Sequence, residues 1–454
     1  YNVIRQGLKE IIMKANWLPL SAAVAFALGS VTASAVDFHG YFRAGMQANA
    51  QGGNVYCGGD GTAGHKVGRL ADECDTYAEI VLGQEIYNKA NSKFTVNTRI
   101  AYGTTQAGDG HDTQWNDWQS VSGGGDDTAG GWDGGRIAMR EFFADYQTAD
   151  GYKIWAGKRF YQRKDIHIWD IYTLNNAGYG TGIEAIDIGM GNLNFAVTKS
   201  NDANDGAQYR PTYKLDARWN GIGLGEFGSL DLAVVYGLPW VSDVQKSYQE
   251  SKNSGVLLTA DYGFNGAGVS NHFIVQYGTN GFSDIGAFGN HAGDNYTPDT
   301  DVETVRLIDW GTLDAGNFGL GYSLIWSHKN SGENHGDNAW TTNRSGWDYS
   351  VVLRPEYKWT EYTRTTLELG YSATKTNGWV ADTAKYEDPD VTKVTLAQQF
   401  TPGKGFWSRP AIRFYVSYIS GDLFANSWNP GYASKNVDGD EEQITVGTQV
   451  EAWW

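Results

Sequence analysis

The C-terminal segment alternates without a break. Trp454, Ala452, Val450, Thr448, Val446 and Ile444 share one parity, and Trp453, Glu451, Gln449, Gly447, Thr445 and Gln443 share the other. A period of two puts successive side chains on opposite faces, so this is a β-strand with one apolar and one polar face. A last strand that closes on an aromatic while its polar face still needs water is the ending expected of an outer-membrane barrel. The same alternation predicts further strands. Phe38, Gly40, Phe42 and Ala44 oppose Asp37, His39, Tyr41 and Arg43; Thr76, Ala78, Ile80 and Leu82 oppose Asp75, Tyr77 and Glu79. Ile412, Phe414, Val416 and Tyr418 oppose Trp407, Arg409, Arg413 and Tyr415. Apolar parities also run through Leu230, Leu232, Val234 and Tyr236, and through Leu367, Leu369 and Tyr371.

Membrane barrels turn the apolar parity to lipid and the polar parity to the lumen. Tyr41, Tyr77, Trp407 and Trp453 are therefore aromatics directed inward, beside Arg43, Glu79, Arg409 and Glu451. One such ring has an ordinary explanation as lumen filling. Several of them, each flanked by charge, fit a different purpose: aromatic faces match the C–H faces of pyranose rings, and the charged side chains match hydroxyl edges. The pattern points to a lumen for sugars rather than for ions.

Residues 1–35 read as a targeting segment. Met13-Lys14 opens a basic stretch, Trp17 to Leu28 is mostly apolar, and Ala33-Ser34-Ala35 is a small-x-small cleavage site. The expectation is a start at Met13, cleavage after Ala35 and a single barrel domain over 36–454. A net charge of −17 argues against nucleic acid as a partner. The mean hydropathy of −0.45 would suit a soluble protein, but suits a barrel equally, since only alternate residues meet lipid. With 59 glycines and 9 prolines the chain favours many hairpins over helices.

Cys57 and Cys74, an even count in an exported chain, predict a disulfide that stiffens an early loop; two cysteines without a histidine pair make a poor zinc site. The runs Asp438-Gly439-Asp440-Glu441-Glu442 and Asp126-Asp127 read as solvated loops, with structural calcium as the alternative; otherwise no cofactor is expected. His167-Ile168-Trp169-Asp170 falls short of a metal site. Glu79, Asp165 and Asp170 would be the carboxylates of a glycosidase, but acceptors set between arginines and the lack of a nucleophile motif argue against an enzyme. A soluble sandwich lectin would not need a lipid-facing parity along so many strands.

Several longer stretches carry a family resemblance: Val36-Asp37-Phe38-His39-Gly40-Tyr41, Glu73-Cys74-Asp75-Thr76-Tyr77-Ala78-Glu79, Leu82-Gly83-Gln84-Glu85, Ile154 through Arg163, Leu396-Ala397-Gln398-Gln399, Trp407 through Arg413, and the terminal Trp-Trp. The chain resembles the maltoporins, maltodextrin-selective porins of Gram-negative outer membranes, over essentially its whole length after residue 35. The resemblance implies an all-β, 18-stranded antiparallel barrel with an infolded constriction loop, assembled as a homotrimer among outer-membrane lipid and lipopolysaccharide. It implies saturable diffusion of maltose and maltodextrins along an aromatic slide of Tyr41, Tyr77, Trp407 and Trp453. Trp118, with Trp115 close behind, would reach a neighbouring subunit from the loop running from Gly103 to Gly135. A polar track would use Arg43, Arg69, Glu79, Arg140, Asp165 and Asp170, with Arg163 and His167 nearby, and Tyr172 would narrow the channel. Ser270 stands where the family has a slide phenylalanine; its parity points inward, and Phe264 is the nearest replacement ring. A general or sucrose-type porin is the alternative, and the surface loops leave open a role as a phage receptor.

Overall fold

The computed structural model describes residues 36–52, 55, 66–73, 75–105, 119–120, 136–202, 210–240, 254–283, 301–331, 345–377, 390–421 and 442–454. The expected targeting segment, Cys57, Cys74, Trp115, Trp118 and the acidic runs at 126–127 and 438–441 lie outside these residues.

The described elements are strands and short 3-10 turns. The first strands are β1 (Asp37–Asn49), β2 (Asp75–Lys89), β3 (Ser92–Thr105), β4 (Gln119–Ser120), β5 (Arg136–Gln147), β6 (Lys153–Arg159) and β7 (Lys164–Ile166). The next are β8 (Ile171–Leu174), β9 (Gly178–Asp187), β10 (Asn192–Asp202), β11 (Arg210–Gly223), β12 (Ser229–Pro239), β13 (Gly255–Gly266) and β14 (Val269–Thr279). The last are β15 (Val302–Ala315), β16 (Phe318–Ser331), β17 (Ser345–Lys358), β18 (Thr363–Asn377), β19 (Asp390–Phe400), β20 (Ala411–Ser420) and β21 (Glu442–Trp453).

Nineteen strands form one sheet and β7–β8 form a separate hairpin. Within the sheet β4 only extends the end of β5, which leaves eighteen strands in the wall. Each pairs antiparallel with its neighbour in sequence, and β1 pairs with β21 from Tyr41↔Trp453 to Asn49↔Thr445, closing the barrel. Closure leaves no free sheet edge, which a wall in lipid requires. The connections are short at one end and long at the other. At the short end Ala90-Asn91 turns β2 into β3 with both φ values positive, the two-residue geometry that matches strand twist. By the rule for outer-membrane barrels the short-turn end is periplasmic.

Exposure follows the alternation, in the sense opposite to that of a soluble protein. In β20, Ile412, Phe414, Val416 and Tyr418 are exposed while Arg413, Tyr415 and Ser417 are buried. In β19, Val394, Leu396 and Phe400 are exposed while Lys393, Thr395 and Gln399 are buried. Apolar side chains outside and polar ones inside are what lipid around a hydrated interior selects.

Two connections pack on the inward parity. The hairpin between β6 and β9 buries Ile166, Ile168, Trp169 and Ile171 against Ile274, Ile308, Ile325 and Val352 of β14 to β17. Residues 66–73 lie along β17 to β19: Leu70 N donates to Glu368 Oε1 at 3.1 Å, and Lys393 Nζ donates to Leu70 O at 3.1 Å. Val67 comes so close to Gly370 that a Cβ there would strike its carbonyl oxygen.

Candidate functional site

Strand register assembles one wall of the site. Tyr41 of β1 sits opposite Glu79 of β2 on one side and Trp453 of β21 on the other. One row up, Arg43 sits between Tyr77 and Glu451. Two residues on the same parity in each of three strands thus make a patch of three rings and three charges. The Tyr41 and Tyr77 rings are 6.1 Å apart, the Arg43 guanidinium lies 5.4 Å from the Tyr77 ring centre, and that of Arg409 lies 4.2 Å from the Trp453 ring centre. Tyr77 Oη donates to Glu79 Oε1 at 2.7 Å, and Tyr41 Oη donates to Glu451 Oε1 at 3.1 Å.

Trp407 and Arg409 precede β20, in the 401–410 connection, so strand alternation does not itself direct them. They join the patch nonetheless. His167 meets the Trp453 ring edge-on at 5.2 Å and the Trp407 ring edge-on at 5.5 Å. Arg409 Nε donates to Glu451 Oε2 at 2.9 Å, and Arg413 Nη2 reaches the same oxygen at 2.7 Å.

The two packed connections bring the remaining charges. Arg69 Nε donates to Glu73 Oε1 at 2.6 Å, Arg69 Nη2 donates to Tyr41 Oη at 3.0 Å, and Arg69 Nη1 lies 3.6 Å from Asp170 Oδ1. Arg43 Nη1 bridges Glu73 at 3.1 Å and Asp170 at 3.3 Å. Asp170 and His167 belong to the β7–β8 segment, so groups distant in sequence converge on one face.

Arg140 reaches the interior through a β-bulge. Arg99 pairs with Glu141 and Ile100 with Met139, which leaves Arg140 as the extra residue. Arg140 and Glu141 are consequently both buried while Met139 and Phe142 on either side are exposed. Arg99 is ion-paired to both Glu79 and Glu141. Phe160 and Tyr172 line up with the neighbouring guanidinium groups: Arg140 lies 5.3 Å and Arg163 4.3 Å from the Phe160 ring centre, and Arg163 lies 4.2 Å from that of Tyr172. Asp165 pairs with Tyr172 across the hairpin and is exposed.

Ser270 shares the inward parity of buried Ile274 and Gln276. Phe264 does not replace the missing ring: it sits opposite Asn271 and shares the outward parity of exposed Leu258. Sequence reasoning passed over the inward pair on the next strands, His272 and Trp310, which face each other in register and stack at 4.9 Å with 8° between planes. Glu73, Arg99 and Glu141 were likewise unassigned: Glu73 lies in the connection before β2 and Glu141 beside the bulge, where no alternation directs them, and the partners of Arg99 are not legible from parity. Among the described residues no three His, Cys, Asp or Glu side chains converge on a metal site.

A closed barrel with lipid-facing apolar residues and a polar, ring-lined interior is a transmembrane β-barrel of the porin class. Residues 36–454 match the LamB porin family, and the chain belongs to that family. A maltoporin of Hahella chejuensis (strain KCTC 2396) is 33 % identical over 442 residues, covering 96 % of this chain and 97 % of that protein. Among solved structures, OccAB2 of Acinetobacter baumannii overlays with a TM-score of 0.47 at 10 % identity, covering 92 % of this chain and 98 % of that one. OmpT of Vibrio cholerae overlays with a TM-score of 0.40 at 13 % identity, covering 94 % of this chain and 100 % of that one. Likeness at those scores adds nothing to the fold read from strand pairing.

Proposed function

We propose that this porin is a maltodextrin channel of the Gram-negative outer membrane, working as a homotrimer by facilitated diffusion and without catalysis. The observation that carries the reading is the continuity of rings. Tyr77 and Tyr41 are ring neighbours, Tyr41 sits opposite Trp453 in register, and His167 meets both Trp453 and Trp407 edge-on, so the four rings follow one another on the interior. Glucosyl units present apolar faces at regular spacing, and such a row offers each unit a ring in turn.

The charged groups form the matching track. Arg43, Arg69, Glu79, Arg140, Asp165 and Asp170 offer donors and acceptors to hydroxyls, while the 160–177 connection, with Tyr172, folds inward and narrows the path. Each stacking contact is worth on the order of 0.5–1.5 kcal/mol. A hydrogen bond to the track replaces one to water and nets about 0.5–1.5 kcal/mol. Repeated shallow sites let a chain advance by exchanging contacts, whereas one deep site would stall it. Glu79 and Asp170 are paired with guanidinium groups, which suits acceptors better than an acid and base for hydrolysis. In the trimer, Trp118 from a neighbouring subunit, with Trp115 close behind, would supply a further ring, and a Cys57–Cys74 disulfide would stiffen an early extracellular loop.

Liposome swelling tests the reading. Purified protein in vesicles is expected to admit maltotriose and maltohexaose with rates that saturate, and to admit a trisaccharide without the linear glucan geometry more slowly. Swelling that scales only with solute size would mark a general porin instead.

A further inference from the structure

We propose that Trp310, held by His272, forms an additional glucosyl subsite toward the short-turn end of the lumen. The inference rests on the maltodextrin reading and extends it to residues outside the ring row described above.

Trp310 lies on the buried parity of β15, with Arg306, Ile308 and Thr312. It is partly buried and packs against the same apolar cluster as Trp407, so the two indoles border one surface. His272 covers one face of its ring in near-parallel stacking. Part of the indole stays accessible beside the apolar cluster, and it is on that part, away from His272, that a sugar would rest.

The support behind the ring is ordered. His272 Nδ1 lies 2.8 Å from Asp261 Oδ1, and Asp261 Oδ2 accepts from Lys164 Nζ at 2.9 Å. Lys164 Nζ also donates to Asp231 Oδ2 at 2.6 Å. Three barrel strands and the β7–β8 hairpin therefore fix the imidazole against which the indole rests. A preorganised ring loses little freedom on binding, which is the condition for useful stacking. Ser270 and Thr312 face each other beyond Trp310 toward the turn. Both are small and hydroxylic: they leave room for a pyranose and can exchange hydrogen bonds with it. A bulky side chain at Ser270 would instead fill that room.

Trp310→Leu keeps apolar bulk and removes the aromatic face; Trp310→Phe keeps a face. In planar bilayers the sugar-free conductance of each variant reports an intact pore. Maltohexaose block is expected to weaken about 3- to 10-fold in Trp310→Leu, the effect of one stacking contact, and to recover most of that in Trp310→Phe. The on-rate for sugar added on the short-turn side should fall more than that for sugar added opposite, an asymmetry that general loosening of the pore would not produce. Trp310→Met carries the same expectation should the leucine variant not insert. Unchanged block in these variants, or an equal loss from both sides, overturns the subsite while the wild-type block still stands. Absence of block in the wild-type protein overturns the channel reading itself, and the subsite with it.

Discussion

His167 Nε2 lies 2.9 Å from Glu451 Oε1, while Arg69 Nη1 lies 3.0 Å from His167 Nδ1. Arginine has only donors, so Nδ1 must accept and the single ring proton must sit on Nε2, donated to Glu451. The neutral tautomer thus ties the 66–73 segment, the β7–β8 segment and the last strand together at the centre of the ring row.

Burial and then the Arg69 charge lower the His167 imidazole below its ordinary 6.5, with Glu451 opposing. A depressed imidazole favours the neutral form in the folded site. The contact therefore persists below pH 6.5 and is lost only as pH falls through the depressed value, while the stability it lends the fold, complete above about pH 6.5, drains away over that same descent. Protonation would place two donors face to face at Nδ1. Maltohexaose affinity is expected to hold down to about pH 6.5 and to drop only at more acidic pH, and His167→Gln, which cannot charge, should flatten the profile. An identical profile in both proteins would assign the pH response elsewhere.

Glu451 accepts from Tyr41, His167, Arg409 and Arg413. Glu451→Gln leaves two guanidinium groups with less compensation in the lumen. The reversal potential in a potassium chloride gradient should move toward anion selectivity, and sugar affinity should fall. A reversal potential equal to that of the wild type would show that Glu451 does not set the local field.

The bulge at Arg140 is separable from the wall that carries it. Deleting Arg140 brings β3 and β5 into regular register while keeping the Arg99–Glu141 pair. The expected result is a pore that still inserts, with sugar affinity lowered about 2- to 10-fold for the lost hydrogen bonding. Failure of the deletion to insert would make the bulge a requirement of the fold.

Phe414 is exposed on β20 between inward Arg413 and Tyr415. Phe414→Lys puts a charge in lipid and is expected to cost about 2–4 kcal/mol near the bilayer midplane, less toward its edges. Urea titration of folding into vesicles measures it; a neutral effect would place this face against protein or water.

Legibility from sequence followed local regularity. Tyr41, Arg43, Tyr77 and Glu79 stood out because β1 and β2 alternate cleanly. Arg140 did not, because a bulge turns two successive residues inward. Trp407 and Arg409 were assigned to a strand parity, yet they sit in the connection before β20. Trp310 and His272 were passed over for a different reason. The inner faces of β14 to β17 carry Ile274, Ile308, Ile325 and Val352, which bed the isoleucines of the β7–β8 segment. Apolar residues then occupy both parities, and the contrast that marks a lumen-facing residue is lost there. Long-range partners such as Arg69 with Tyr41 or His167 with Glu451 depend on two connections packing on the wall, which no local pattern encodes.

The continuity of the ring row is tested most directly by current block in planar bilayers, with maltose, maltotriose and maltohexaose added in turn to the wild type and to Trp407→Ala and Trp453→Ala. A continuous row is expected to give saturable block that tightens with chain length and weakens about 2- to 10-fold with each lost ring. Block that is independent of chain length, or unchanged when either ring is removed, would contradict it.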